Sequence, residues 1–252
     1  MTLKWRGLVL PVILVVLWEI GARAGTLPED TMSQPSVIVA AGWEALLDGS
    51  LLLATVQTFQ TALLGLAIGA IIGICIGSLI GLLPVVEGVI GPTLDTIRPV
   101  PAVALIPLAL LIYGFGVRME VLVITFACIW PILIVTVSAV RGIEPRLIEV
   151  ARTLEMSPYS RMLRIVLPAA LARIAVGIRV SAGVALVVAV TVEIVLNPQG
   201  LGYGMIIAAQ SLRPDLMWAE VLWVGFAGWL FNTLLTTIDR RWLRRFQPGG
   251  VR

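Results

Sequence analysis

The sequence predicts an all-α integral membrane protein with six transmembrane helices and both termini on the cytoplasmic side. Three observations predict it. The 252 residues are 59% hydrophobic and 13% charged, with a mean hydropathy of +1.01, whereas a soluble domain carries about a quarter charged residues. The apolar residues gather in six runs separated by stretches bearing proline, glycine or charge. The basic residues then fix the orientation. With both ends and the stretch between runs four and five inside, Lys4, Arg6, Arg98, seven arginines from Arg141 to Arg179 and the tail arginines Arg240, Arg241, Arg244 and Arg245 fall on one side. Only Arg23, Arg118 and Arg213 stay outside, as the positive-inside rule requires. Nothing in the composition marks a second domain, so residues 1–252 read as one membrane unit.

Lys4 and Arg6 precede the first run, Leu8 to Ile20. Ala22-Arg23-Ala24 opens a second reading, a cleaved signal peptide; the polytopic chain that follows favours a retained span. Glu19 and Arg23, four apart, read as a solvated pair. Thr26 to Ser50 reads as a loop with Pro28, Pro35, Glu29, Asp30, Glu44 and Asp48. The second span, Thr58 to Leu83, carries Gly65, Gly69, Gly73, Gly77 and Gly81 at every fourth position. So spaced, they form one bare strip on which another helix can pack closely, within the subunit or at a dimer interface. Pro84 to Pro101 reads as a loop. The third span, Ala102 to Phe115, contains Pro107, which frees a carbonyl and kinks a helix unless neighbours satisfy the backbone. Gly114 and Gly116 turn the chain into the fourth span, Val121 to Val140. The fifth is Ile174 to Leu196, followed by a glycine-rich loop from Asn197 to Gly204, and the sixth is Trp218 to Ile238.

Several function classes are excluded. There is no histidine, so imidazole metal sites and histidine acid–base chemistry are absent, and no catalytic or metal constellation is present. Lys4 is the only lysine, which rules out a phosphate-binding loop ending in Gly-Lys-Ser/Thr. Cys75 and Cys128 lie in apolar runs and read as packed thiols. Glu193, near the outer end of span five, has two open readings: it reaches the interface, or, with Pro107, it lines a pathway.

The stretch from Arg141 to Arg173 is the long charged interruption, and it reads as a helical hairpin. Leu147, Ile148, Ala151 and Leu154 make an apolar stripe while Arg146, Glu149 and Thr153 face away. Ser157-Pro158 is a helix start signal. Glu149-Val150-Ala151, the nine residues Met156 to Arg164, and Ile165-Val166-Leu167-Pro168 resemble, without a gap, the EAA loop of permease subunits of bacterial ATP-binding-cassette importers. Val150 replaces an alanine of that pattern. Glu155 stands at its glycine, where a side chain must either avoid a positive φ or accept strain. Arg98-Pro99-Val100-Pro101, Ile106-Pro107, Tyr113 to Gly116, Val192-Glu193-Ile194 and Gly200-Leu201-Gly202-Tyr203 are similar to the nitrate/sulfonate/taurine group of that family.

The resemblance implies an inner-membrane permease that pairs with a second permease chain, usually its own copy, and takes solute from an external binding protein. Two cytoplasmic ATPase subunits, which hold the ATP and Mg, dock on the hairpins; this chain binds no cofactor. On that reading the ATPase contact falls on Glu149, Ala151, Arg152, Thr153, Leu154, Glu155, Met156 and Ser157. The solute expected is a nitrate-, sulfonate- or taurine-like anion. A secondary transporter is the alternative, but it leaves the hairpin unexplained and no inverted repeat is visible. A basic hairpin tethered between spans meets lipid headgroups or a protein rather than nucleic acid.

Overall fold

A computed structural model describes residues 3–28 and 31–246, with the side chains of residues 3–6, 8, 84, 152, 158 and 239–246 outside the described set. Glu29 and Asp30, and the side chains of Lys4, Arg6, Arg152 and the tail arginines, therefore lie outside the described set. Every element among the described residues is helical. In order they are α1 (Leu3–Arg23), α2 (Pro35–Leu47), α3 (Ser50–Leu82), α4 (Pro84–Ile97), a 3-10 turn (Ala102–Leu105) leading into α5 (Ile106–Tyr113), α6 (Val117–Arg141), α7 (Pro145–Thr153), α8 (Pro158–Arg161), a π-helical stretch (Met162–Val166), α9 (Leu167–Val195), α10 (Gly200–Gln210) and α11 (Pro214–Phe246). Among the described residues, four segments are long and apolar enough to cross a membrane: Ser50–Leu82, Val117–Arg141, Tyr159–Gln210 and Pro214–Ile238. A fifth is added if α4 and α5, bent by 85° at their break, count as one.

The glycine strip of α3 packs inside the subunit. A Cβ on Gly69 would stand 2.8 Å from Cys128 Cβ, on Gly73 3.1 Å from Ile132 Cβ, on Gly77 2.8 Å from Thr136 Cβ and on Gly81 2.8 Å from Val140 Cβ; Gly65 lies against Ile124 in the same way. Both helices advance by four residues per contact and in the same direction. The two helices are therefore parallel, in van der Waals contact along a seam that any side chain would open. Since α3 and α6 run the same way, the chain between them must return, and α4 with α5 is the return path. Across the seam α9 runs antiparallel to α6: Ser181 Oγ donates to the Cys128 carbonyl (3.3 Å), while Gly177 packs on Val135. Ala62, Ile106, Ala109, Val123, Ala185 and Ala189 fill the centre.

Three expected loops contain helices. Pro35 and Pro84 occupy the first turns of α2 and α4, where a missing N–H costs nothing, so these prolines start helices rather than interrupt loops. Pro107 likewise stands in the first turn of α5 instead of kinking a continuous span. The break falls one step earlier, at Arg98-Pro99-Val100-Pro101: Arg98 is still α-helical, and the two prolines after it bring no N–H to continue the helix. The segment expected as a glycine-rich loop becomes helical at Gly200. Of the two cysteines, Cys128 is packed as expected, whereas Cys75 is exposed.

At its C-terminal end α1 is fixed to the bundle. The Glu19 carboxylate accepts hydrogen bonds from Ser36 N (3.0 Å) and Ser36 Oγ (2.8 Å) and pairs with Arg23 at 2.6 Å. Glu19 is therefore not merely half of a solvated pair: it caps the N-terminus of α2, where a negative charge is favoured. Trp18 packs edge-on against Trp218 with centroids 5.4 Å apart, and Trp218 Nε1 donates to the Thr31 carbonyl (3.0 Å).

Candidate functional site

The hairpin is seated on the end of the bundle by one face and leaves the other free. Ile148 and Met162 pack with Val140, Val166, Ala170 and Ile174, and Ala151 is fully buried. The expected single stripe thus divides. Ile148 and Ala151 turn inward, and Ala151 supports the hairpin from below. Leu147, Val150 and Leu154 point out, with Leu154 67% exposed, and Tyr159 and Leu163 continue the apolar surface. Glu149, Thr153 and Ser157 are exposed and Met156 is half-buried. The bend beyond α7 keeps the geometry of a glycine turn without the glycine. Glu155 adopts φ +48°, and Met156 N donates to the Ala151 carbonyl across it (3.1 Å), the bond that closes a helix whose following residue is left-handed. Ser157 Oγ accepts from Ser160 N (3.3 Å), the cap its sequence predicts.

At the opposite end of the bundle lies a buried polar lock that joins α3, α6, α9 and α10. Glu120 and Glu193 are 0% and 1% exposed. Glu120 accepts from Thr61 Oγ1 (2.5 Å) and Asn197 Nδ2 (2.7 Å). Glu193 accepts from Thr58 Oγ1 (2.7 Å) and Gly202 N (2.9 Å). All four donors are neutral, and each carboxyl oxygen has one. The same lock caps α10: its first N–H groups go to Gln57 Oε1 from Gly200 (3.0 Å), to Thr58 Oγ1 from Leu201 (2.9 Å) and to Glu193 from Gly202. A helix N-terminus facing a carboxylate is favourable twice over, through the donors and through the dipole.

The glycines of Gly200-Leu201-Gly202-Tyr203-Gly204 make this possible. Gly200 sits at φ +84°, and a Cβ there, or on Gly202, would run into Glu193; one on Gly204 would run into Glu220. Glu220, on α11, is buried, and its Oε2 has no hydrogen-bond partner among the described residues. Glu193 is thus closed off from solvent in this structure, while Pro107 is exposed on α5. Sequence reading missed Glu120, Thr58, Thr61 and Asn197. The available signal was an acidic residue, Glu120, in the first turn of a long apolar helix. Among the described residues no group of three or more His, Cys, Asp or Glu is placed to hold a metal.

Residues 65–247 match the family described as binding-protein-dependent transport system inner membrane component. A Bacillus subtilis protein named for aliphatic sulfonates transport, the permease protein SsuC, is 30% identical over 95% of this chain and 87% of its own length. The riboflavin transport system permease protein RibX of Chloroflexus aurantiacus is 35% identical over 79% of this chain and 75% of its own. Among solved structures, a crystal structure of an amino acid ABC transporter with histidines superposes with a TM-score of 0.63 at 16% identity, covering 80% of this chain and 96% of that one. The chain belongs to the binding-protein-dependent transport system inner membrane component family, and it is a multi-pass permease subunit of a small-solute ATP-binding-cassette importer in the cytoplasmic membrane.

Proposed function

We propose that this permease pairs with a second copy of itself to form the pathway for a small organic anion of the sulfonate class. Two ATPase subunits power it by docking on the hairpins, and an external binding protein delivers the solute. The observation that carries the ATPase contact is the outward stripe Leu147, Val150 and Leu154 on a hairpin anchored by Ile148 and Ala151. A short rigid helix presenting i, i+3 and i+7 apolar residues is the form in which a groove is recognised. Glu149, Thr153, Glu155, Met156 and Ser157 border that stripe, together with Arg152. ATP and Mg belong to the partner; this chain holds neither.

The topology proposed has six crossings with both termini on the hairpin's side. It is supported by the parallel α3 and α6, the return through α4 and α5, the antiparallel α9, and an α1 whose C-terminal end meets the start of α11. The arginines of the hairpin then lie inside, as charge asymmetry requires. ATP favouring one arrangement of the paired hairpins over the other would shift the population between inward- and outward-open states. The anion assignment rests on the sulfonate relative, and the riboflavin relative names its competitor.

Reconstitution into vesicles with the ATPase subunit and binding protein tests the whole reading. ATP-dependent uptake of an alkanesulfonate, absent without either partner, is expected. Uptake of riboflavin instead would move the substrate, and gradient-driven uptake without the ATPase would restore the secondary-transporter alternative.

A further inference from the structure

We propose that the hollow between the hairpin and the ends of α3 and α6 binds the headgroup of an anionic phospholipid. The inference rests on the cytoplasmic placement of the hairpin argued above. The cavity has a volume of about 450 Å³, and its wall includes Gly81, Leu82, Arg141, Ile148, Glu149 and Arg161. That size is typical of small-molecule sites, which run roughly 300–1,000 Å³. The wall has two characters. Gly81, Leu82 and Ile148 make it apolar toward the bundle, and Arg141 and Arg161 line it from α6 and α8.

The two arginines are not equivalent. Arg141 stands in the last turn of α6, where a cation offsets the helix dipole, and its Nη2 pairs with Glu87 on α4 at 2.5 Å. Arg161 is half-buried and makes no ion pair among the described residues, so it is the cation with a charge left to satisfy. Glu149 faces the same hollow, so with Arg141 held by Glu87 the wall has no surplus positive charge. Discrimination must then come from the guanidinium fork, which matches phosphate oxygens in pairs. A free phosphate would engage the fork but leave the apolar wall wet. A phospholipid fills both halves, phosphate on Arg161 and glycerol and first methylenes on Leu82 and Ile148. Basic pockets at the cytoplasmic ends of membrane helices are where such headgroups bind. An occupant touching both α3 and α7 would bias how the hairpin sits, making coupling sensitive to the lipid of the inner leaflet.

Native mass spectrometry of the full chain in detergent, titrated with phosphatidylglycerol or phosphatidylcholine, tests the assignment. Phosphatidylglycerol is expected to bind preferentially, and Arg161→Gln to weaken it about fivefold, the loss of one arginine near an anionic headgroup. Arg161→Lys should keep most of the preference, and Arg118→Gln, an exposed arginine on the opposite end, should change nothing. An unaltered thermal midpoint in Arg161→Gln would show that the fold survives. Equal affinity for the two lipids, an Arg161→Gln variant that binds as wild type does, or displacement of the lipid by millimolar inorganic phosphate would overturn the proposal. The measurement needs no ATPase and no transport, so its failure leaves the permease reading untouched, and failure of ATPase docking leaves this result standing.

Discussion

Thr58 Oγ1 donates to Glu193 Oε1 at 2.7 Å across 135 residues of chain, and the same hydroxyl accepts the Leu201 N–H at 2.9 Å. One side chain thus satisfies a buried carboxyl and the first turn of a helix at once. Thr58→Val keeps the shape and removes both partners. A buried polar group left unmatched costs about 1–3 kcal/mol, so the variant should lose at least about 2 kcal/mol in an unfolding titration in mixed micelles. Thr58→Ser should stay near wild type. Equal stability of the valine variant would mean that the lock contributes nothing.

The α3–α6 seam makes a paired prediction about glycine. At Gly77 a Cβ would stand 2.8 Å from Thr136 Cβ and 2.9 Å from the Leu133 carbonyl oxygen; at Gly88, on α4, it would meet nothing within 4 Å. Gly77→Ala must push the helices apart, at about 1–3 kcal/mol for an overpacked contact. Gly88→Ala should instead stabilise by about 0.5–1 kcal/mol, the ordinary helical advantage of alanine. The same micelle titration reads both, and the opposite signs are the prediction.

Glu155 holds a left-handed backbone at φ +48°, which costs a side-chain-bearing residue roughly 1–2 kcal/mol. Glu155→Gly should therefore raise the thermal midpoint, by a net gain of about 1 kcal/mol once the added freedom of the unfolded chain is subtracted. Glu155→Val, with branching at Cβ, should lower it. A glycine variant no more stable than wild type would show that the turn relaxes in the membrane.

How much of this was legible in the sequence follows from the range over which each feature acts. The glycine strip announced itself because helical periodicity is local; its partner did not, because Ile124 to Val140 look like any apolar helix. The hairpin was legible because its spacing, its cap at Ser157 and its charge are local too. The divided stripe was not, since Leu147 and Ile148 are equally apolar and only the bundle beneath decides which turns inward. Pro35, Pro84 and Pro107 misled because a proline that starts a helix and one that breaks a helix are the same residue. The lock was invisible for a related reason. Thr58, Thr61 and Asn197 reach Glu193 and Glu120 across 59 to 135 residues of chain, and the three glycines that admit Glu193 and Glu220 read as a loop until those carboxyls are in place.

The most direct test of the central claim is co-purification of the ATPase subunit with the permease from detergent, comparing wild type with Leu154→Asp and Glu149→Ala. Leu154 is 67% exposed, so an aspartate there should leave the fold intact, checked by an unchanged gel-filtration profile. The ATPase should accompany the wild type and be lost, or nearly so, from Leu154→Asp, with a smaller loss for Glu149→Ala. Retention of the ATPase by both variants at the wild-type ratio would contradict the account and put the docking surface elsewhere on the chain.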